Sequence, residues 1–404
     1  MIYSTYQAFA DVHDPLRDLA TQMQRVLFDW KPGDFASPLQ NLAAVYEIAA
    51  LAGFTHLRPD FDITHVSING VETPVREEVV LDLPFGSLLR FRKVGAKNEP
   101  KVLLIAPMSG HFATLLRGTA LTMLRDFDVY ITDWKNARDI PVEAGVFGLE
   151  DFTQYIIDFV HALGPQSHIV AVCQPTVSAL AATSVMAARR DNDQPASLTL
   201  MAGPIDVRVS PTKVNELANE KPFAWFEEKM VAKVPPGKRG EGRRVYPGFV
   251  QLAAFLSMNS QRHAKSFRDM FSHRIKGEHD KANAIRVFYE EYFAIMDLPG
   301  DFYLETIRDV FQNASLPKGE MTFKGETVHP AAMRKTFLLT VEGEKDDICA
   351  VGQTLVAQDL CAGLRPYMKS HHMQPGVGHY GVFNGRKWES QIYPVVRNHI
   401  ISSI

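Results

Sequence analysis

Apolar residues fall at helical spacing at the start of this chain, in short unbroken runs through its middle, and at helical spacing again before the runs resume. Asp14-Pro15 is a good helix start, since Asp caps and Pro suits the first helical position. Leu16, Leu19, Ala20, Met23, Val26, Leu27 and Trp30 follow with one apolar face. The stretch 38–54 reads as a second helix, and both are expected to dock their apolar faces onto the main domain. From about residue 75 the rhythm changes. "EEVVLDLPFGSLLRFRK" predicts two strands joined at Pro84-Phe85-Gly86, and "KVLLIAP" (101–107) predicts a central strand buried on both faces. A helix near 112–125, strand 128–134, helix 149–163, strand 168–173, helix 175–190 and strand 197–204 follow. Strands alternating with helices argue an α/β fold with a mostly parallel sheet and helices on both faces. The alternation stops at 205. Residues 205–333 read as helices around a flexible Pro/Gly/basic loop, 233–248. It resumes with strand 335–348, a helix, a possible strand 368–376 and a final helix from about 386. The expected organisation is a helical extension (1–74), a sheet domain (75–204 and 334–404) and a helical cap or lid inserted into it (205–333).

Composition narrows the function without naming it. The chain has 404 residues, 46% hydrophobic and 22% charged, with a formal charge of −3. Those are ordinary globular values, and the length allows a large core without disulfides or metal. No basic stripe suggests nucleic acid. The first residues have no Lys or Arg before Arg17 and no apolar h-region, unlike a secretory signal. No apolar run approaches the roughly 18 residues of a membrane span. The three cysteines (Cys173, Cys349, Cys361) are odd in number and lack CxxC spacing. That argues against a disulfide framework or a zinc site and for a reducing cytoplasm. His371 and His372 lack a third ligand, so neither metal nor cofactor is expected.

The chemistry concentrates at "HIVAVCQPTVSALAA" (168–182), a buried strand, a cysteine, and a helix opening Gln-Pro. This resembles a nucleophile elbow, in which the nucleophile sits on a strained strand-to-helix turn. Glycines usually flank that residue at two before and two after; here Ala171 and Pro175 stand there. Proline in the first helical turn loses no needed hydrogen bond, and the Gln174 N–H stays free to donate to an oxyanion. A helix N-terminus and a nearby histidine both favour the thiolate. Alone, Cys173 would read as a buried structural cysteine. Two later stretches change that. "LLTVEGEKDDI" predicts a strand ending in an acidic loop, and "GVGHYGVFNGRKW" a Gly-rich loop carrying His379. In an α/β-hydrolase the order along the chain is nucleophile, acid, histidine. Cys173, Asp346 and His379 have that order. Asp347 competes for the acid role; Asp346 is preferred because of its place relative to Ile348. Gly376, Gly378 and Gly381 suggest unusual backbone torsions around the histidine. A second oxyanion donor is expected from the Met108 or Ser109 amide, on the loop that also carries Gly110 and His111.

With these motifs in place, the sequence resembles the intracellular poly(3-hydroxybutyrate) depolymerases, of the α/β-hydrolase superfamily. The resemblance spans nearly the whole chain through "LLIAPMSGHFATLLRGT", "YITDWKNARDIP", "VCQPTV", "MAGPID", "RVYPGFVQLAAFLSMN", "EEYFAIMDLPGDFY", "TVEGEKDDI" and "GVGHYGVFNGRKW". It implies a Cys173–Asp346–His379 triad and a stored hydroxybutyrate polyester, or its oligomers, as substrate. It also implies a cytoplasmic location at storage granules. Trp134, at the end of its strand, and His111, on the loop after strand 101–107, are candidates to line the substrate cleft. Trp134 could equally pack under the cap. Of the aromatics in 286–303, most are expected to form cap core and a few to touch polymer. Polyhydroxyalkanoate synthases are relatives that usually keep the glycines missing here. Acyl transfer to coenzyme A, synthase-like polymerisation, and a non-catalytic granule-coating role remain the alternatives. The oligomeric state stays open.

Overall fold

The computed structural model describes residues 2–29, 36–51, 53–96, 98–258 and 260–404. Trp30, the last residue of the first predicted apolar series, lies outside them. Nine strands form one sheet in the order β1-β2-β3-β5-β4-β6-β7-β8-β9. These are β1 (His65–Ile68), β2 (Val71–Leu83), β3 (Gly86–Lys93), β4 (Lys101–Ile105), β5 (Asp128–Trp134), β6 (His168–Val172), β7 (Ser197–Met201), β8 (Phe337–Gly343) and β9 (Lys369–Gln374). The pairs β1–β2, β2–β3 and β3–β5 are antiparallel, and every later pair is parallel. This is the α/β-hydrolase fold. All five residues of β6 and of β7 are buried, as unbroken apolar runs require when helices cover both faces. The sheet begins earlier than residue 75: β1 and the first turn of β2 belong to it. Pro74, inside β2, pairs with His65 of the edge strand β1, a position where a missing N–H is tolerated.

The helices α1 (Ile2–Asp29) and α2 (Ala36–Leu51) form as expected, but their docking differs. Tyr3, Ala10 and Ala20 of α1 are buried, whereas Phe9, Val12, Leu16, Leu19, Met23 and Val26 are exposed. The face that packs inward is the one whose polar atoms find partners. Arg17 donates to the Ala50 and Phe54 carbonyls at 3.2 and 3.0 Å, and Tyr3 donates to the buried Asp297. The pair also rests on the insertion between β7 and β8 rather than on the sheet alone. The Tyr6 ring stacks on Phe249 at 4.0 Å, and Glu47 of α2 is paired with Arg274 at 2.5 Å. That insertion is not purely helical. Short strands at 232–233, 244–246 and 298–299 make a small sheet, and 322–323 pairs with 326–327. Among the described residues no helix is long and apolar enough to cross a membrane.

The strand ends that matter are tied together step by step. Ile105 pairs with Ala171, so the segment after β4 lies beside the segment after β6. The Ala106 amide donates to Thr132 Oγ1 at 2.9 Å and its carbonyl accepts from Trp134 Nε1 at 2.7 Å, which fixes the exit of β4. The Cys173 amide donates to the Met201 carbonyl, and the Ala202 amide to that of Val341, both at 2.8 Å. Helix α5 (Pro175–Ala188) starts hard against this edge. A side chain at Gly203 would collide with Thr176 of its first turn. Gly203→Ala should therefore lower stability by about 1–3 kcal/mol in urea unfolding. Thr176→Gly, which gives up a hydrogen bond and adds a helix glycine, should cost less in the Gly203→Ala background than in wild type; equal costs would show that the collision is not the cause.

Candidate active site

Cys173 follows β6 with φ of +65°, a left-handed conformation that a side chain adopts only at a cost of order 1–3 kcal/mol. The strain is held by the Thr176 amide and hydroxyl, which both donate to the Cys173 carbonyl at 3.1 and 2.8 Å. Pro175 starts α5 without wasting a donor, as expected. The room that an elbow glycine ordinarily provides is supplied across the sheet instead, by Gly203 under Thr176. The sequence offered that signal only as an unremarkable "MAGP".

Asp346 sits on the loop leaving β8. Its Oδ1 accepts from the Ile348 and Cys349 amides at 2.9 and 2.8 Å, and its Oδ2 lies 2.8 Å from His379 Nδ1. Both carboxylate oxygens are thus committed, and the imidazole is held with its other nitrogen toward the sulfur. Asp347 is exposed and faces the cleft mouth. The acidic loop and the histidine loop are laced together. The Glu344 amide donates to the Gln374 carbonyl at 3.0 Å, the Lys345 amide to that of Val377 at 2.8 Å, and the Gly376 amide to Glu344 Oε2 at 2.6 Å. Of the three glycines flanking His379, only Gly376 needs a left-handed backbone, with φ of +67°.

The electrostatics pull the two reactive groups apart. Interaction with the Cys349 thiol is the largest cause holding Cys173 well below the ordinary thiol range. Burial opposes this, while the charge and hydrogen bond of His379 and the Gln174 amide add to it. Burial disfavours the imidazolium, but the Asp346 carboxylate and then the Cys173 thiolate outweigh it and hold His379 well above its ordinary value. Both shifts favour the thiolate and imidazolium forms of the pair. Cys349 is a site residue that the sequence reading passed over; its only signal was its place three residues after Asp346, where an aspartate commonly accepts a backbone amide.

Gln174 contributes more than its amide. Its side-chain nitrogen and oxygen are both buried with no hydrogen-bond partner. Leaving such groups unpaired costs about 1–3 kcal/mol. Neither the Met108 nor the Ser109 amide has a described acceptor, and both follow the fixed exit of β4 beside the elbow. Trp134 does not line the site. It is 1% exposed and stacks on Phe152 at 4.4 Å, because its indole N–H is used by Ala106. His111 is also buried, packed on Tyr292 with ring centroids 5.2 Å apart, and burial pushes its pKa down to about 4. It joins the loop after β4 to the insertion rather than facing the cleft.

A cleft of about 910 Å³ opens between the insertion and the histidine loop. Phe288, Tyr292, Ile348, Val377 and Tyr380 form much of its apolar wall, and His379 lies on it. Cys173 itself is not on that wall. Tyr289 also lines the cleft, whereas Phe302 stacks on Phe152 at 5.0 Å and Tyr303 on Tyr246 at 3.9 Å.

Residues 202–403 match the family model described as PHB de-polymerase C-terminus. The chain belongs to the PHB depolymerase family. It is accordingly a carboxylic ester hydrolase, and the matched half of the chain contains the insertion, Asp346, Cys349 and His379, while Cys173 precedes it. Among curated proteins, none matches the chain. Solved structures similar to it include a candidate lipase (lip1) of Acinetobacter baumannii AYE, at 14% identity over 82% of this chain and 93% of that one, with a TM-score of 0.47. The hydrolase BphD of Rhodococcus sp. strain RHA1 is 13% identical over 82% and 99%, with a TM-score of 0.46. The monoacylglycerol lipase of Paleococcus ferrophilus is 12% identical over 76% and 97%, with a TM-score of 0.45. The assignment of the site rests on none of these three; it rests on the contacts above.

The ion pair has a direct readout. Because the Cys173 pKa is depressed, its thiolate persists as pH falls and is lost only below the ordinary thiol value of about 8.5. Iodoacetamide alkylation of Cys173, followed by peptide mass, should stay fast at pH 7. In His379→Ala the midpoint should move up. A wild-type midpoint at the ordinary thiol value would refute the ion pair.

Proposed function

We propose that this depolymerase hydrolyses ester bonds of stored poly(3-hydroxybutyrate), or of its oligomers, with Cys173 as nucleophile. The observation that carries the reading is the 2.8 Å bond from His379 Nδ1 to Asp346 Oδ2, beside a strained Cys173 whose ionisation the His379 ring shifts.

In this reading the Cys173 thiolate attacks the ester carbonyl. The negative charge that develops on the carbonyl oxygen is met by the Gln174 amide and by the Met108 or Ser109 amide. Each such donor contributes about 3–4 kcal/mol to lowering the barrier. As the tetrahedral intermediate collapses, the His379 imidazolium protonates the departing alkoxide, and an acyl-cysteine remains. Neutral His379 then takes a proton from water, whose attack releases the acid and restores the thiolate. Asp346 keeps Nδ1 protonated throughout, so that the nitrogen facing the sulfur does the proton transfer. The unpartnered side-chain amide of Gln174 is available to a neighbouring ester carbonyl of the chain.

The substrate suits the cleft. A polyester of short hydroxyacids is neutral and fairly apolar, and needs an aromatic wall with few polar groups rather than a phosphate cradle. Phe288, Tyr292 and Tyr380 supply that wall, with Tyr380 set edge-on to His379 at 6.0 Å. Since the cleft wall carries His379 and not Cys173, a polymer segment must displace some of these aromatics to reach the sulfur. The insertion therefore acts as a cap that loosens for substrate.

Hydrolysis of amorphous polymer should be abolished in Cys173→Ala. In Asp346→Asn kcat should fall about 10⁴-fold, since the wrong tautomer would face the sulfur. Asp347→Asn should stay within a few-fold of wild type. Full activity in Cys173→Ala, or a loss in Asp347→Asn as large as in Asp346→Asn, would overturn the assignment.

A further inference from the structure

Two of the chain's three cysteines meet at the candidate site. Cys173 and Cys349 are contributed by loops that leave β6 and β8, with β7 between them. Asp346 joins the two loops: one of its oxygens accepts from the Cys349 amide and the other pairs with the His379 ring, so the two thiols lie close enough to shift each other's ionisation. The meeting is built and not incidental. The Cys349 amide is anchored on Asp346 Oδ1 at 2.8 Å, and the carbonyl before it accepts from Thr212 Oγ1 at 3.1 Å. Farther along, the Gly352, Thr354 and Leu355 amides all donate to the Glu342 carboxylate at 2.8–2.9 Å. Cys349 is 3% exposed, whereas Cys173 is half-buried.

A thiolate carries a hazard. It reacts with peroxides, and without a second thiol the product proceeds to sulfinic and sulfonic acids, which ordinary thiols cannot reverse. The third cysteine lacks this arrangement: Cys361 is fully buried against Met333 sulfur, and burial pushes its pKa up to about 12.

We propose that Cys349 is a resolving thiol, and that peroxide converts Cys173 and Cys349 into a reversible intramolecular disulfide that shields the nucleophile from irreversible oxidation. The Cys173 thiolate attacks one peroxide oxygen; the O–O bond breaks, a sulfenic acid forms, and the departing hydroxide takes a proton from the His379 imidazolium to leave as water. The Cys349 sulfur then attacks the Cys173 sulfur. The S–O bond breaks, and the hydroxyl leaves as water with the Cys349 proton, relayed by the now neutral imidazole. The two thiols have given two electrons to the peroxide. A small dithiol reductant reverses the state by exchange, ending as its own disulfide. Interaction with Cys173, with burial, holds the Cys349 thiol well above its ordinary value. It therefore keeps its proton and does not compete as the first site of attack. Oxidation would silence hydrolysis by removing the nucleophile, yet the disulfide can form whether or not the ester reaction is the one proposed above.

The test uses the full-length protein treated with hydrogen peroxide, digested without reductant and examined by peptide mass. In wild type a Cys173–Cys349 linked peptide should appear, and dithiothreitol should restore iodoacetamide labelling of Cys173. In Cys349→Ala and Cys349→Ser, Cys173 should pass to sulfinic and sulfonic acid, and dithiothreitol should restore little. Two variants are used so that a folding defect in one does not decide the outcome. Overoxidised Cys173 without the linked peptide in wild type, or equal recovery in wild type and both variants, would overturn the proposal. Polymer hydrolysis measured alongside in untreated protein reports separately on the proposed function.

Discussion

The Asp346 carboxylate is the constraint on which the site depends. One oxygen is spent on the backbone of its own loop, at Ile348 and Cys349, and the other on the His379 ring. A carboxylate bound this way cannot turn, so it sets the loop, the imidazole tautomer and the place of the Cys349 thiol together. Its burial sharpens the effect, because an ion pair away from water is poorly screened. The shifts of Cys173 and His379 in opposite directions follow from that geometry.

The elbow provides the other half. A cysteine at φ of +65° would relax if its neighbours allowed it. The Met201 carbonyl holds its amide, and Thr176 holds its carbonyl. Thr176 can press so closely because Gly203 presents no side chain. The glycine requirement of such a turn has been moved from the turn to the adjacent strand end, and the thiol gains its strained position without flanking glycines. Strain at a site persists only where the surrounding packing over-determines it, and here three separate hydrogen bonds do so.

The N-terminal helices and the insertion act as one layer over the open edge. Asp297, wholly buried, accepts from Tyr3 of α1 and from the Gly248 amide at 2.9 Å, while its own amide donates to Asn136 Oδ1 at 3.0 Å. Three distant stretches thus meet at one residue, whose carboxyl burial holds above its ordinary pKa. Met296 and Ile295 tie the same segment to Gly110 and Thr55 by backbone bonds of 2.8 and 2.7 Å. The cleft's aromatic wall hangs from these anchors, which explains how a helical insertion can shape an apolar site without belonging to the sheet's core.

Much of this was legible in the chain itself. Unbroken apolar runs at β4, β6 and β7 can be satisfied only by burial on both faces, and alternation with helices makes the sheet parallel there. The strand–Cys–Gln–Pro turn, the acidic loop and the Gly-rich histidine loop are local patterns, so their order along the chain was readable, while the choice between Asp346 and Asp347 rested on a preference. What local pattern could not settle was which surfaces meet. The apolar face of α1 was expected inward, but the polar atoms of Arg17 and Tyr3 find buried partners on the other side, leaving Leu16, Leu19, Met23 and Val26 outside. Trp134 was a candidate for the cleft until Ala106 claimed its N–H. Cys349 looked incidental because its significance lies in a neighbour 176 positions away, brought close by the turn of two loops across an intervening strand. Sequence determines periodicity and order because these are properties of adjacent residues; contact between the ends of separate strands is a property of the packed sheet, and only the tertiary structure decides it.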